Sequence, residues 1–258
     1  MPEPHVVVLL CLAALLAGWV DAVSGGGGLI QLPALLVLMP AATPAQVLAT
    51  NKLSSVFGTA VAAETYRRRV RPDLRTALPM ALAAVLGAAV GAACASLLPR
   101  EVFRPLVLVL LVVVGAYTLL RPEVGDAQTL RFTGRRHYTV AVAAAFVIGC
   151  YDGIFGPGTG SFLVIALVAL LGYSFLHASA KARIVNLATN LGALAVFVPQ
   201  GAPLYRLGLL MAACNVGGGW LGARMAIRRG SGFVRLVFLV VVGALVLRLA
   251  YDTVFAGE

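Results

Sequence analysis

The stretch DAVSGGGGL at residues 21–29, running on into IQLPALL, recurs in kind as DGIFGPGTGS at residues 152–161, running on into FLVIAL. Each copy places an acid at the end of one apolar run and a glycine cluster at the start of the next. A carboxylate and a side-chain-free backbone are both costly in hydrocarbon. Finding both twice, at matching places in the two halves, predicts a duplicated transport fold with its site between the repeats.

The rest of the chain supports a membrane setting. Of 258 residues, 60% are hydrophobic and 12% charged, and the mean hydropathy is +0.95. A soluble domain of this length needs more polar surface. Ten apolar segments follow one another, at 6–23, 29–39, 45–63, 74–97, 102–120, 138–154, 161–172, 178–198, 204–227 and 233–251. Most approach the ~20 residues that span a bilayer as a helix. The second and seventh, near 11 residues each, are too short to cross alone and read as half-helices or re-entrant pieces. The first, with Glu3 before it and no basic residue, reads as a membrane helix rather than a cleaved signal.

Other strings repeat in the same order. ATNKLSSVFGTA at 49–60 answers IVNLATNLGALA at 184–195, with Asn51 against Asn186. GAAVGAA at 87–93 answers GGWLGAR at 218–224, and VVVGA recurs at 112–116 and 240–244. The predicted fold is therefore all-α and polytopic, with two inverted repeats of about five segments each. Residues 1–120 form the first repeat, 121–137 a cytoplasmic linker and 138–258 the second repeat.

The net charge of +10 is spread over clusters between apolar segments. Arg67, Arg68, Arg69, Arg71 and Arg75 read as one loop, Arg121, Arg131, Arg135 and Arg136 as another, and Arg224, Arg228, Arg229 and Arg235 as a third. This is the pattern of the positive-inside rule and of lipid headgroup contact, not of nucleic-acid binding. With ten crossings all three fall in the cytoplasm, along with Lys181 and Arg183, and the second half inserts upside-down relative to the first. With eight crossings the third loop would fall outside, against the rule.

Candidate site residues follow from the motifs. Helix N-termini offer free N–H groups and roughly half a positive charge. Gly26, Gly27 and Gly28, and Gly158, Thr159, Gly160 and Ser161, would hold an oxyanion at two such ends, with Ser24 as a further donor. The alternative is that the glycines only let helices pack closely. On this reading Gly27→Val or Gly158→Val should abolish anion binding and leave insertion intact. Lys52, beside Asn51, is a cation in mid-segment. It draws an anion into the pathway, pairs with Asp21 or Asp152, or snorkels to the interface. Its counterpart in the second repeat is Leu187, with Lys181 and Arg183 about one turn earlier to compensate. Asn186, Thr189 and Asn190 share one helical face and line the pathway or bond between helices. Asp21 and Asp152 read as coupling or structural residues, since a carboxylate beside an anion repels it.

No cofactor, metal or catalytic residue is expected. Cys11, Cys94, Cys150 and Cys214 lack metal-ligand spacing, and no GxxxxGK[ST] phosphate loop occurs. An intramembrane hydrolase using Ser161 and His177 lacks both a GxSxG and an HExxH motif. The expected partners are a small anion, a coupling proton or cation and the lipid bilayer; the sequence is also compatible with a homodimer.

The strings DAVSGGGGLIQLPAL, LATNKLSSVFGT, YDGIFGPGTGSF and LGARM resemble those of the sulfite exporter TauE/SafE family, the toluenesulfonate-uptake-type permeases. The likeness runs from about residue 8 to 252 and is nearest the bacterial inner-membrane branch, with TNKL in the first half and YDGxFGPGTGSF in the second. It implies a multi-pass secondary transporter of the inner membrane that moves a small anion, often sulfite or an organosulfonate. An anion channel and a non-transporting scaffold or assembly factor remain as alternatives.

Overall fold

The computed structural model describes residues 2–94 and 129–255, with backbone alone at 241, 242 and 244–255. The expected segment at 102–120, residues 121–128 of the linker and the first VVVGA string lie outside the described residues. The described chain is helical throughout, with no strand: α1 Pro4–Ser24, α2 Gly28–Leu38, α3 Pro44–Val70, α4 Leu74–Cys94, α5 Gly134–Ile154, α6 Thr159–Ala169, α7 Phe175–Phe197 and α8 Tyr205–Phe255.

Local chemistry explains the helix ends. Thr43 and Gln46 form a reciprocal capping box at the start of α3, ahead of Pro44. Asp73 caps α4, accepting from the Arg75 N–H at 3.0 Å. Ser174 caps α7 through the His177 N–H. Gly25, at φ +93°, closes α1 in the left-handed conformation that favours glycine. The ninth and tenth expected segments form one helical run broken at Gly230 (φ 76°, ψ −169°), giving α8 two arms. A single glycine turns the chain without ending helix on either side.

The first arginine cluster differs from the expected loop. Arg67, Arg68 and Arg69 occupy the last turns of α3, where helix-forming arginines are favoured by the C-terminal dipole. Glu64, one turn back, holds Arg67 and Arg68. Arg135 and Arg136 likewise sit in the first turn of α5, and Arg224, Arg228 and Arg229 inside α8.

By length and composition α1, α4 and α5 can each cross a membrane, while α2 and α6 are short and apolar. At 1.5 Å per residue, an 11-residue helix reaches only about 16 Å, half the hydrocarbon core. The apolar exposure is inside-out relative to a soluble protein. On α4, Leu78, Leu82, Leu86 and Val90 form an i, i+4 stripe that faces outward, with Leu82 70% exposed, while Ala77, Ala84 and Ala88 are buried. A patch of this kind suits lipid.

Helix pairing exchanges the two halves. α1 packs against α8 as α4 packs against α5, and α3 packs against α8 as α4 packs against α7, with α3 against α7 at the centre. The repeated glycine strings form the two outer seams. A Cβ on Gly222 would meet the Trp19 carbonyl at 2.5 Å, and one on Gly87 would overlap the Phe146 carbonyl. Small residues at such seams permit the backbone contact that dispersion rewards in lipid.

Candidate functional site

The C-terminus of α1 stops in the protein interior, so its last carbonyls need partners there. Each one has a partner. The Asp21 carbonyl accepts from Arg183 Nη1, that of Ala22 from the Tyr66 hydroxyl at 3.0 Å and that of Val23 from Ser179 at 3.4 Å. The Ser24 carbonyl accepts from the Ser161 hydroxyl at 3.0 Å, and that of Gly25 from the Ser161 N–H at 3.2 Å. Helices α3, α6 and α7 thus converge on one helix end.

The two glycine loops touch directly. A Cβ on Gly25 would overlap the Gly160 backbone, and the built Cβ of Gly28 lies 3.5 Å from the Gly156 carbonyl oxygen. Only side-chain-free backbone fits at Gly25, which also holds a positive φ.

Around this crossing lie two ion pairs, each joining one half to the other. Lys52 of α3 pairs with Asp152 of α5; both side chains are at most 3% exposed. Arg183 of α7, fully buried, reaches Asp21 of α1 through Nη1–Oδ2 at 3.1 Å. Thr59 and Asn186 donate to the same Asp21 oxygen at 3.4 and 3.5 Å. Thr159 donates to Asp152 Oδ1 at 2.6 Å and to the Gly156 carbonyl at 2.9 Å. Glycines make room for both cations: a Cβ would come 3.1 Å from Lys52 Nζ at Gly156, and 2.9 Å from Arg183 Nη2 at Gly160.

The pairs flank a cavity of about 20 Å³, room for about one water molecule. It brings together Asp21, Gly28, Asn51, Lys52, Asp152 and Thr159 with Gly160, Asn186 and Asn190. Gly25, Ser55 and Gly156 complete its wall. Gly26, Gly27, Gly158 and Ser161 do not line it. Among the cavity groups, Asn51 Oδ1 and Asn190 Nδ2 are buried without a hydrogen-bond partner, as are Nε and Nη2 of adjoining Arg183. Three of these four atoms carry donors. Buried groups left in this state mark a place where a ligand or water belongs.

Ser24, Thr159 and Ser161, expected as anion donors, spend their hydroxyls on protein acceptors. His177 binds Ser174 at 2.9 Å rather than Ser161, so no Ser161–His177 dyad is formed. No group of three or more metal-ligating side chains occurs among the described residues.

The sequence reads Arg183 as near the cytoplasmic side and, with Lys181, as a counterpart to Lys52; the structure places Arg183 at the site. The available signal was its spacing. Lys52 follows Asn51 by one residue and Arg183 precedes Asn186 by three, so the two cations sit one helical turn apart on matching helices.

An all-α membrane protein with two crossed ion pairs around a buried polar cavity has the architecture of a transporter. The profile described as Sulfite exporter TauE/SafE matches residues 10–249. The chain belongs to the sulfite exporter TauE/SafE family and is a membrane transporter of that type. It is 38% identical over 249 residues to the "Probable membrane transporter protein ORF9" of Sinorhizobium sp, covering 96% of this chain and 94% of that protein. It is 33% identical over 255 residues to the "Probable membrane transporter protein YfcA" of Escherichia coli (strain K12), covering 98% and 93%. A "Probable membrane transporter protein" of Haemophilus influenzae is 32% identical over 245 residues, covering 95% and 94%. No solved structure matches the chain.

Proposed function

We propose that the chain is a secondary permease of the inner membrane that carries a small oxyanion of the sulfite or organosulfonate class, coupled to protons. The observation that carries this reading is the pair of crossed ion pairs beside unpartnered donors. Lys52 and Arg183 are each neutralised by an acid of the opposite half. A proton delivered to Asp152 or Asp21 cancels that counter-ion and leaves a buried cation. An unpartnered buried charge costs about 3–5 kcal/mol, and an arriving oxyanion restores the balance. Asn190 Nδ2 and Arg183 Nη2 then supply donors that have no protein acceptor. Proton and anion therefore bind together, which is the requirement for symport.

The cavity's volume supports an occluded resting form, with access gained when the two halves shift against each other. The exchange-symmetric pairing of helices supports the inverted-repeat topology, in which such a shift exposes the site to either side in turn. Positions Gly28, Asn51, Lys52, Gly160, Asn186 and Asn190 are the substrate contacts on this reading, and Asp21 and Asp152 the coupling residues.

Proteoliposomes test it. With an inward proton gradient, sulfite, thiosulfate or sulfoacetate should accumulate above its outside concentration, and collapse of the gradient should abolish accumulation. Flux that only equilibrates, unaffected by the gradient, identifies a channel and overturns the symport reading. A thermal-shift screen against the same anions and unrelated ones identifies the ligand, because a ligand that binds the native state raises the melting point.

A further inference from the structure

We propose that the groove between α3 and the first arm of α8 is a binding site for one anionic glycerophospholipid. The two helices touch at Gly58 and Gly219, where a Cβ on Gly219 would meet the Gly58 carbonyl at 2.6 Å. Gly58 lies near the middle of α3 (Pro44–Val70). Beyond it the helices leave a groove of about 760 Å³. Val61, Trp220 and Ile227 contribute an apolar lining, and Arg68, Arg69, Arg224 and Arg228 line it with cations. From Gly58 to Arg68 the helix rises about 15 Å, which is the depth of one leaflet's hydrocarbon. An acyl chain therefore has a wall from midplane to headgroup level, and a phosphate has arginines where it emerges.

Charge favours an anionic occupant. Four guanidiniums face one carboxylate, Glu64, a surplus of three. Glu64 is itself engaged by Arg67 and Arg68. Arg224 lies over the Trp220 ring at 4.6 Å, which holds one guanidinium in the groove. Planar guanidiniums bind phosphate in a fork, and basic pockets between membrane helices recognise acidic headgroups.

The groove is separate from the transport site. Thr59 points at Asp21, whereas Val61, Thr65 and Arg68 lie roughly 180–240° round the same helix at 3.6 residues per turn. A soluble oxyanion has no use for an apolar wall of this length, so the lipid is the occupant we commit to.

Delipidated full-length protein in detergent tests the proposal with three additions: phosphatidylglycerol, phosphatidylcholine and inorganic phosphate. Phosphatidylglycerol should raise the melting temperature and remain as a single adduct in native mass spectrometry, with the other two giving less than half that shift. Arg224→Gln with Arg228→Gln should lose more than half of the shift. Arg75→Gln with Arg135→Gln, which removes two exposed arginines elsewhere, should keep it. Val61→Trp fills the groove without changing charge and should also lose it, which carries the test if the double glutamine variant misfolds. A wild type without the adduct, an equal shift from phosphatidylcholine, or full retention by either groove variant overturns the proposal. An equal shift from phosphate alone overturns it in favour of a soluble-anion site.

Discussion

Lys52 and Asp152 lie in different halves of the chain, yet each is the other's counter-ion in the protein interior. Removing either alone strands a buried charge, at about 3–5 kcal/mol, whereas removing both leaves a neutral pair of shapes that costs far less. Lys52→Met and Asp152→Asn should therefore each lower the melting temperature by several degrees, with the double variant recovering most of the loss. Transport should be lost in all three. A double variant no more stable than the singles would mean the two side chains are not coupled.

Arg183 does two tasks through one nitrogen, meeting both the carboxylate and the main-chain carbonyl of Asp21. Arg183→Lys keeps the charge but replaces the planar guanidinium, whose Nη1 meets both oxygens, with an ammonium on a shorter side chain. It should fold, with stability reduced by about 1–3 kcal/mol for the bonds lost. Coupled anion uptake should fall at least tenfold. Wild-type uptake by this variant would show that charge alone suffices.

The glycines divide by what a Cβ would meet. Gly28 has 3.5 Å of clearance, and its Cβ would enter the cavity wall. Gly28→Ala should keep the melting temperature within a few degrees and weaken anion binding. Gly25→Ala should fail to accumulate, because it collides with Gly160 and needs a positive φ. Gly27→Val cannot isolate binding from folding, since a Cβ there would already press on the Ala17 carbonyl at 2.6 Å. Normal folding of Gly25→Ala would refute the crossed-loop contact.

The features legible in the sequence were those carried by local cost. An acid followed by glycines is expensive in lipid wherever it occurs, so Asp21 and Asp152 marked the half-helices α2 and α6 before any contact was known. Lys52 stood out for the same reason. Which acid partners which cation is a tertiary matter, and the periodicity of α3 says nothing about α5. The burial of Arg183 and its pairing with Asp21 are not legible, because hydropathy places residues along a helix but not around it. With Lys181 and His177 close by, it reads as the end of a segment, although the structure buries it completely. The arginines of α3 were read as a loop because charge ends an apolar run without ending a helix.

Asp73, between α3 and α4, gives a pH dependence that lies outside the membrane core. Its carboxyl accepts from the Thr76 hydroxyl at 2.6 Å and faces Lys181 at 3.5 Å. Burial pushes the carboxyl up, but the Thr76 bond, the Lys181 charge and the Arg75 N–H together outweigh it and hold it below the usual carboxylate range. A depressed folded value means that the unfolded chain takes up the proton first. The stabilisation is therefore complete above about pH 4, the ordinary aspartate value, and fades as pH falls through the lower folded value. Asp73→Asn removes this contribution. Its melting temperature should lie below wild type at pH 7, and the gap should begin to narrow as the pH falls below about 4. A constant gap across pH 3–7 would assign the loss to the α4 cap rather than to the charge.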